Sequence, residues 1–207
     1  METSKTYLPN IRTATSAVCA LGFILALTLP NQARAEVLFF QDEENFSPEA
    51  AVAIRHPNLD QRRFGRLNSK DEVAYYSITA EKDTKIELEL DTLKADGDFN
   101  PTLVFFGPGL AAPKEDPVIT LGEGNGAIIS RADGRTTYFD RSVFTSFTTG
   151  PRLKIALPEK ATFGVAIRTP NGRTGRYALR LKGKDDFKWS ELTARLAAEF
   201  RAIFRMY

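Results

Sequence analysis

The chain has 207 residues, 43% hydrophobic and 11% aromatic, which is enough apolar surface for a core and too much for a chain disordered throughout. Its 28 Lys and Arg nearly balance 26 Asp and Glu, so no global field draws it to nucleic acid. A single cysteine, Cys19, excludes an internal disulfide.

In chain order, the first predicted element is a secretory leader over residues 1–35. Lys5 and Arg12 precede the apolar run Ala17 to Leu29, and Pro30 and the small-residue pattern Ala33-Arg34-Ala35 follow it. The run has 13 residues, short of the ~20 a spanning helix needs. Cleavage between Ala35 and Glu36 is therefore expected. Cys19 lies inside the run, where a lipoprotein cysteine would follow it, so lipidation is not expected. Loss of the leader removes Cys19, Lys5, Arg12, Arg34 and Glu2, leaving a thiol-free, charge-balanced mature chain. That balance conceals an asymmetry: residues 36–150 hold 12 basic against 20 acidic side chains, and residues 151–207 hold 13 against 5. Interleaving of strands from both parts in one sheet would neutralise them; a basic docking face is the alternative.

Residues 36–61 form an N-terminal segment leading into the main domain. Asp42, Glu43 and Glu44 suit a solvated linker, and Ser47 to Ile54 suit a short helix, with Ser47 as cap and Pro48 in its first turn. From 62 to 183 the pattern is β. Ile86, Leu88 and Leu90 alternate with Lys85, Glu87 and Glu89, predicting one face in the core and one in water. Further strands are expected at 62–67, 72–80, 101–106, 117–121, 126–130, 143–149, 152–158, 161–169 and 176–183. The last two flank Asn171-Gly172, a pair that tolerates a tight turn, and are expected to form a hairpin. Short strands punctuated by Gly, Pro, Asn and Asp point to an antiparallel sandwich rather than βαβ units. Strands of five to eight residues and a helical ending disfavour an outer-membrane barrel.

The ending is the run Asp186 to Tyr207. At helical spacing Trp189, Leu192, Leu196, Phe200, Ile203, Phe204 and Tyr207 share one arc, while Glu191, Arg195, Glu199, Arg201 and Arg205 lie opposite. Ser190 can cap it, and Arg201 and Arg205 complement the negative end of its dipole. An amphipathic α-helix over 184–207 is predicted. Trp189, Leu192, Leu196, Phe200, Arg201, Ile203, Phe204 and Arg205 are its candidate docking residues, toward the sandwich, a membrane interface or a partner protein. Its charges and length exclude spanning.

The stretches "DEVAYYSITAEKDTKIELELDTL", "FNPTLVFFGPG" and "GVAIRTPNGRTGRYALRL" resemble the bacterial pre-peptidase C-terminal domain and its relatives, over Arg62 to Lys182. The resemblance implies an exported, jelly-roll-type, calcium-capable sandwich that is commonly a non-catalytic module. Two departures stand out. No peptidase accompanies the domain, and where many members carry an acidic run this chain has Asp96, Asp98 and Asn100 without the glycine and glutamate of an EF-hand loop. A polar turn is the expected role of that run, with calcium as the alternative.

Catalytic motifs are sparse. The single histidine, His56, precedes Pro57 in an extended loop, and no serine sits in a G-x-S-x-G elbow. The glycine-rich Leu121 to Ala127 lies between predicted strands, without a following helix to cradle phosphate. The fold class expected is thus all-β, an antiparallel jelly-roll-like β-sandwich followed by a C-terminal amphipathic α-helix. The expected function is that of an exported, non-enzymatic envelope module, without cofactor or nucleic acid, docking to a membrane surface or envelope protein through that helix. A carbohydrate- or matrix-binding module using Tyr75, Tyr138 and Trp189 for stacking is the alternative, and an exported hydrolase the third.

Overall fold

Period-two alternation builds twelve strands among residues 36–40, 44–170 and 172–183, which this computed structural model describes. They are β1 (Val37–Phe40), β2 (Val52–Ala53), β3 (Gln61–Leu67), β4 (Val73–Ala80), β5 (Lys85–Leu93), β6 (Thr102–Pro108), β7 (Asn125–Ser130), β8 (Thr137–Asp140), β9 (Thr145–Thr148), β10 (Arg152–Ala156), β11 (Ala161–Arg168) and β12 (Gly175–Lys182). One sheet runs β1-β3-β12-β5-β9-β8, with β10 also on β5, and the other runs β2-β4-β11-β6-β7. Apart from the β6-β7 hairpin, the eight longer strands alternate between the sheets in the manner of a jelly roll: β3-β12-β5-β10 faces β4-β11-β6-β7. Short β1 and β2 add to β3 and β4 in parallel, and the remaining pairings are antiparallel.

The core is the seam between the sheets. Ile86, Leu88 and Leu90 of β5 and Tyr177, Leu179 and Leu181 of β12 meet Tyr76, Ile78, Leu103, Phe105, Phe163, Val165 and Ile167 from the opposite sheet, all essentially solvent-free. Complete burial of such a side chain contributes roughly 1.5–3 kcal/mol, so this seam holds the fold together. Within it the hydroxyls of Tyr76 and Tyr177 pair across the sheets at 2.9 Å, satisfying two polar atoms that would otherwise be costly to bury. Tyr177 lies over its cross-strand neighbour Gly65, where any Cβ would overlap the phenol.

Several expectations change. The fold class is corrected: the described residues form an all-β, two-sheet structure with no α-helix, only a 3₁₀ turn at Lys94–Asp96. The predicted C-terminal amphipathic helix, with Trp189, Leu192, Leu196, Phe200, Arg201, Ile203, Phe204 and Arg205, lies outside the described residues. Ser47 to Ile54 is not a helix. One turn closes where the Ala50 and Ala51 amides donate to the Ser47 and Pro48 carbonyls, and then Val52 and Ala53 join β4, which offers them a ladder that an isolated short helix cannot match. The N-terminal segment therefore belongs to the sheets.

Pro117 to Leu121 is not a strand either. Ile119 and Leu121 lie across the outer face of the β4-β11-β6-β7 sheet, against Tyr75, Val104, Ala127 and Ala166, so that run is a strap. Nor do the last two strands form a hairpin: β11 sits between β4 and β6, whereas β12 crosses to the other sheet, between β3 and β5. Gly172 takes a positive φ of 67° in that crossing, as its turn composition led one to expect, but the turn joins two layers.

Candidate functional site

The outward face of the β3-β12-β5-β10 sheet is laid out in cross-strand rows. Pairing aligns Arg62 with Arg180, Glu89 and Arg152 in one row, and Lys182 with Glu87 and Lys154 in the next. The Lys182 ammonium donates to Glu89 at 2.7 Å, and Lys154 meets Glu87 at 2.9 Å. Acidic β5 thus lies between basic β12 and β10, and the charge asymmetry along the chain is cancelled within one sheet.

Farther along, the β8-β9 hairpin covers this face. It pairs with the end of β5 through Thr92–Thr148 and Leu93–Phe147. The Phe147 ring packs on Tyr138 at 5.9 Å and near Phe64 at 6.4 Å, and Phe64 stacks on Phe40 at 5.0 Å. Arg62 lies among these rings, its guanidinium 5.8 Å from the centroids of both Phe64 and Phe147. Its two terminal nitrogens reach Asp140 at 2.7 Å and Glu36 at 2.6 Å. Arg180 donates to the same Asp140 oxygen at 2.9 Å and stands over the Tyr138 ring. The other Asp140 oxygen accepts from the amide and hydroxyl of Ser142, at 2.8 and 2.6 Å.

The two aspartates of this cluster are tuned oppositely. Burial acts to raise Asp140, but the Ser142 and Arg62 hydrogen bonds overcome it and hold the carboxyl at about 2. Burial dominates at Asp91, whose pKa is raised although Tyr138 donates to it at 2.6 Å and Arg180 stands nearby. The Tyr138 phenol is pushed up in turn, first by burial and then by that bond to Asp91. The two carboxylates are taken up by these partners, while the Nε atoms of Arg62 and Arg180 are buried without a hydrogen bond. Together the groups clamp the hairpin to the sheet.

What the clamp presents is the hairpin's tip. The loop Arg141 to Phe144 joins β8 to β9, and its last residue closes the turn at φ 48°. That left-handed position normally goes to Gly or Asn because a Cβ there is strained. Here it carries a phenylalanine that is 82% exposed, beside Phe139 at 57%. The other strongly exposed apolar loop residue at positive φ, Val118, has a local cause: Pro117 is buried and Ile119 packs on the sheet beneath, which turns Val118 outward. Phe144 lies between half-buried Val143 and Thr145, the first residue of β9, yet its own ring is left in solvent.

The residues proposed from sequence fall elsewhere. Tyr75 is buried beneath the strap and Tyr138 is bound within the clamp, so neither is a free stacking platform, and Trp189 lies outside the described residues. Asp96 is taken up by Arg176, accepting from its backbone amide at 2.6 Å and its guanidinium at 2.9 Å, while Asp98 faces Arg173 at 3.7 Å. Among the described residues no three His, Cys, Asp or Glu side chains are placed to hold a metal. His56 is an exposed loop residue at φ 60° whose carbonyl accepts from Gln61. An open depression beside the hairpin, of about 440 Å³ and lined by Leu93, Lys94, Ala95, Thr145, Ser146 and Arg176, presents two cations, of which Arg176 is already paired with Asp96. No helix among the described residues is long and apolar enough to cross a membrane.

Sequence reasoning missed Phe139 because β8 was not recognised, and Phe144 because the strand expected at 143–149 begins only at Thr145. The turn signal was present: Asp140 with Ser142 forms the local side-chain-to-backbone turn that such residues favour.

No family model matches the chain, and no curated protein matches it. Among solved structures it matches the secreted protein MopE of Methylococcus capsulatus, a mercury-soaked structure in which an oxidized tryptophan facilitates copper-binding. That match has 9% sequence identity and a TM-score of 0.31, and covers 72% of this chain and 99% of that one, a likeness too slight to bear on fold or function.

Proposed function

We propose that this chain is an exported, non-catalytic β-sandwich module that holds on to a surface outside itself through the tip of its β8-β9 hairpin. The leader-like N-terminus and the thiol-free remainder support export. One observation carries the docking role: a nearly fully exposed phenylalanine is kept at a positive φ, on a hairpin fixed by a buried charge cluster. Strain of this kind costs on the order of 1–2 kcal/mol and earns nothing inside the molecule, since Phe144 packs on almost nothing there.

The test is fractionation of cells exporting the full chain, as wild type and as Phe144→Asn. Asn tolerates the left-handed turn, so the fold is kept. Wild type is expected in the envelope fraction and the variant in the soluble extracytoplasmic fraction. Identical partitioning of two equally folded proteins would remove the docking role.

A further inference from the structure

We infer that the tip's counterpart is the interface of an anionic lipid bilayer, with Phe139 and Phe144 entering the boundary between headgroups and acyl chains and Arg141 meeting lipid phosphate. This rests on the docking reading above and names its partner. Three observations select lipid over protein. First, the tip is small and convex. Two phenylalanine rings exposed at 57% and 82% offer roughly 300 Å² together, well short of the ~800 Å² per partner in a specific protein interface. A bilayer makes no demand for complementary shape, because its binding scales with the apolar area inserted.

Second, the charge at the tip is one-sided. Asp140 is turned inward and neutralised by Arg62 and Arg180, and Arg141 is the single charged residue of the loop, exposed to solvent. The tip therefore meets an anionic surface with a net positive charge and no carboxylate to repel it. Third, the tip is anchored before it binds: Phe139 stands on β8 and Phe144 adjoins β9, two strands held by the Asp140 cluster and by the Tyr138–Phe147 stack at 5.9 Å. Little ordering remains for insertion to oppose.

The experiment uses the purified full-length chain with phosphatidylglycerol or phosphatidylcholine vesicles, comparing wild type, Phe139→Ser/Phe144→Asn and Arg141→Gln, each first shown by thermal melting to be folded. Wild type is expected to sediment with phosphatidylglycerol, the double variant to bind at least ~10-fold more weakly, and Arg141→Gln on the order of fivefold more weakly. Because Trp189 is the chain's one tryptophan, Phe144→Trp in a Trp189→Phe background reports the tip alone, and its emission is expected to shift blue on the vesicles. Equal sedimentation of all three proteins, or an unshifted tip tryptophan, overturns the lipid assignment. If vesicles fail while envelope retention still depends on Phe144, the tip holds a protein or glycan, and docking survives without lipid. If retention is also indifferent to Phe144, both readings fall.

Discussion

Asp140 and Arg62, 78 residues apart in sequence, meet at 2.7 Å on the outward face of a sheet, with the Arg62 side chain only 3% exposed. Asp140 ends the first strand of the hairpin and Arg62 lies beneath it, so the contact fixes the hairpin to the strand that bears Arg62.

Asp140→Asn is expected to cost about 3 kcal/mol at neutral pH, because Arg62 and Arg180 then face each other with only Glu36 as a shared counter-charge. Asp91→Asn is expected to cost less than about 1 kcal/mol. The fold disfavours the charged form of Asp91, and asparagine can still accept from Tyr138. Urea denaturation of the two variants against wild type measures the contrast, and equal losses would contradict it.

Acid should erase that contrast from both sides. The carboxyl of Asp140 is depressed from 3.8 to about 2, so its contribution is complete above 3.8 and is lost as pH falls through that window. Asp91 is raised by burial, so its native form takes up a proton before the unfolded form does, and its cost fades as pH falls. The stability gap between wild type and Asp140→Asn is therefore expected to narrow between pH 5 and pH 2, as followed by urea midpoints at successive pH values.

Gly150→Ala should destabilise by about 2 kcal/mol. A Cβ at that position would overlap the carbonyl oxygen of Leu90, a backbone atom in the middle of β5 that cannot step aside. This glycine sits where one edge of β5 passes from β9 to β10, and thermal unfolding of the variant measures the cost.

Phe144→Asn should leave the melting temperature unchanged or raise it, the gain being under about 1 kcal/mol, since asparagine relaxes the φ of 48° and no packing is lost. A substantial drop would mean that the ring supports the fold, and the docking role would lose its premise.

The chain's β character was legible because most strands alternate cleanly, as β12 does with Tyr177, Leu179 and Leu181 inward. Partnership was not legible. Nothing local distinguishes a turn that closes a hairpin from one that carries β12 to the opposite sheet, and only the assembled core rewards the crossing. Alternation also misplaced Glu89: it does face outward, as its spacing requires, yet it is buried and paired with Lys182 and Arg152. Very short β1, β2 and β8 carry too few residues for a period to show. The tip escaped notice for a related reason, since an exposed phenylalanine reads as a core residue until the backbone places it.

The two longer sheets share one further property. Their central strands, β11 and β12, are the last of the described strands in the chain, and each fills a slot between earlier strands. Until residues 161–182 are available, β3 has no partner toward β5, nor β4 toward β6, so neither layer can close. Such non-local pairing folds slowly, and a polypeptide emerging N-terminus first would remain unzipped until its final third is in hand. Under the export proposed above, that delay keeps the chain threadable, and the order of its strands supplies it.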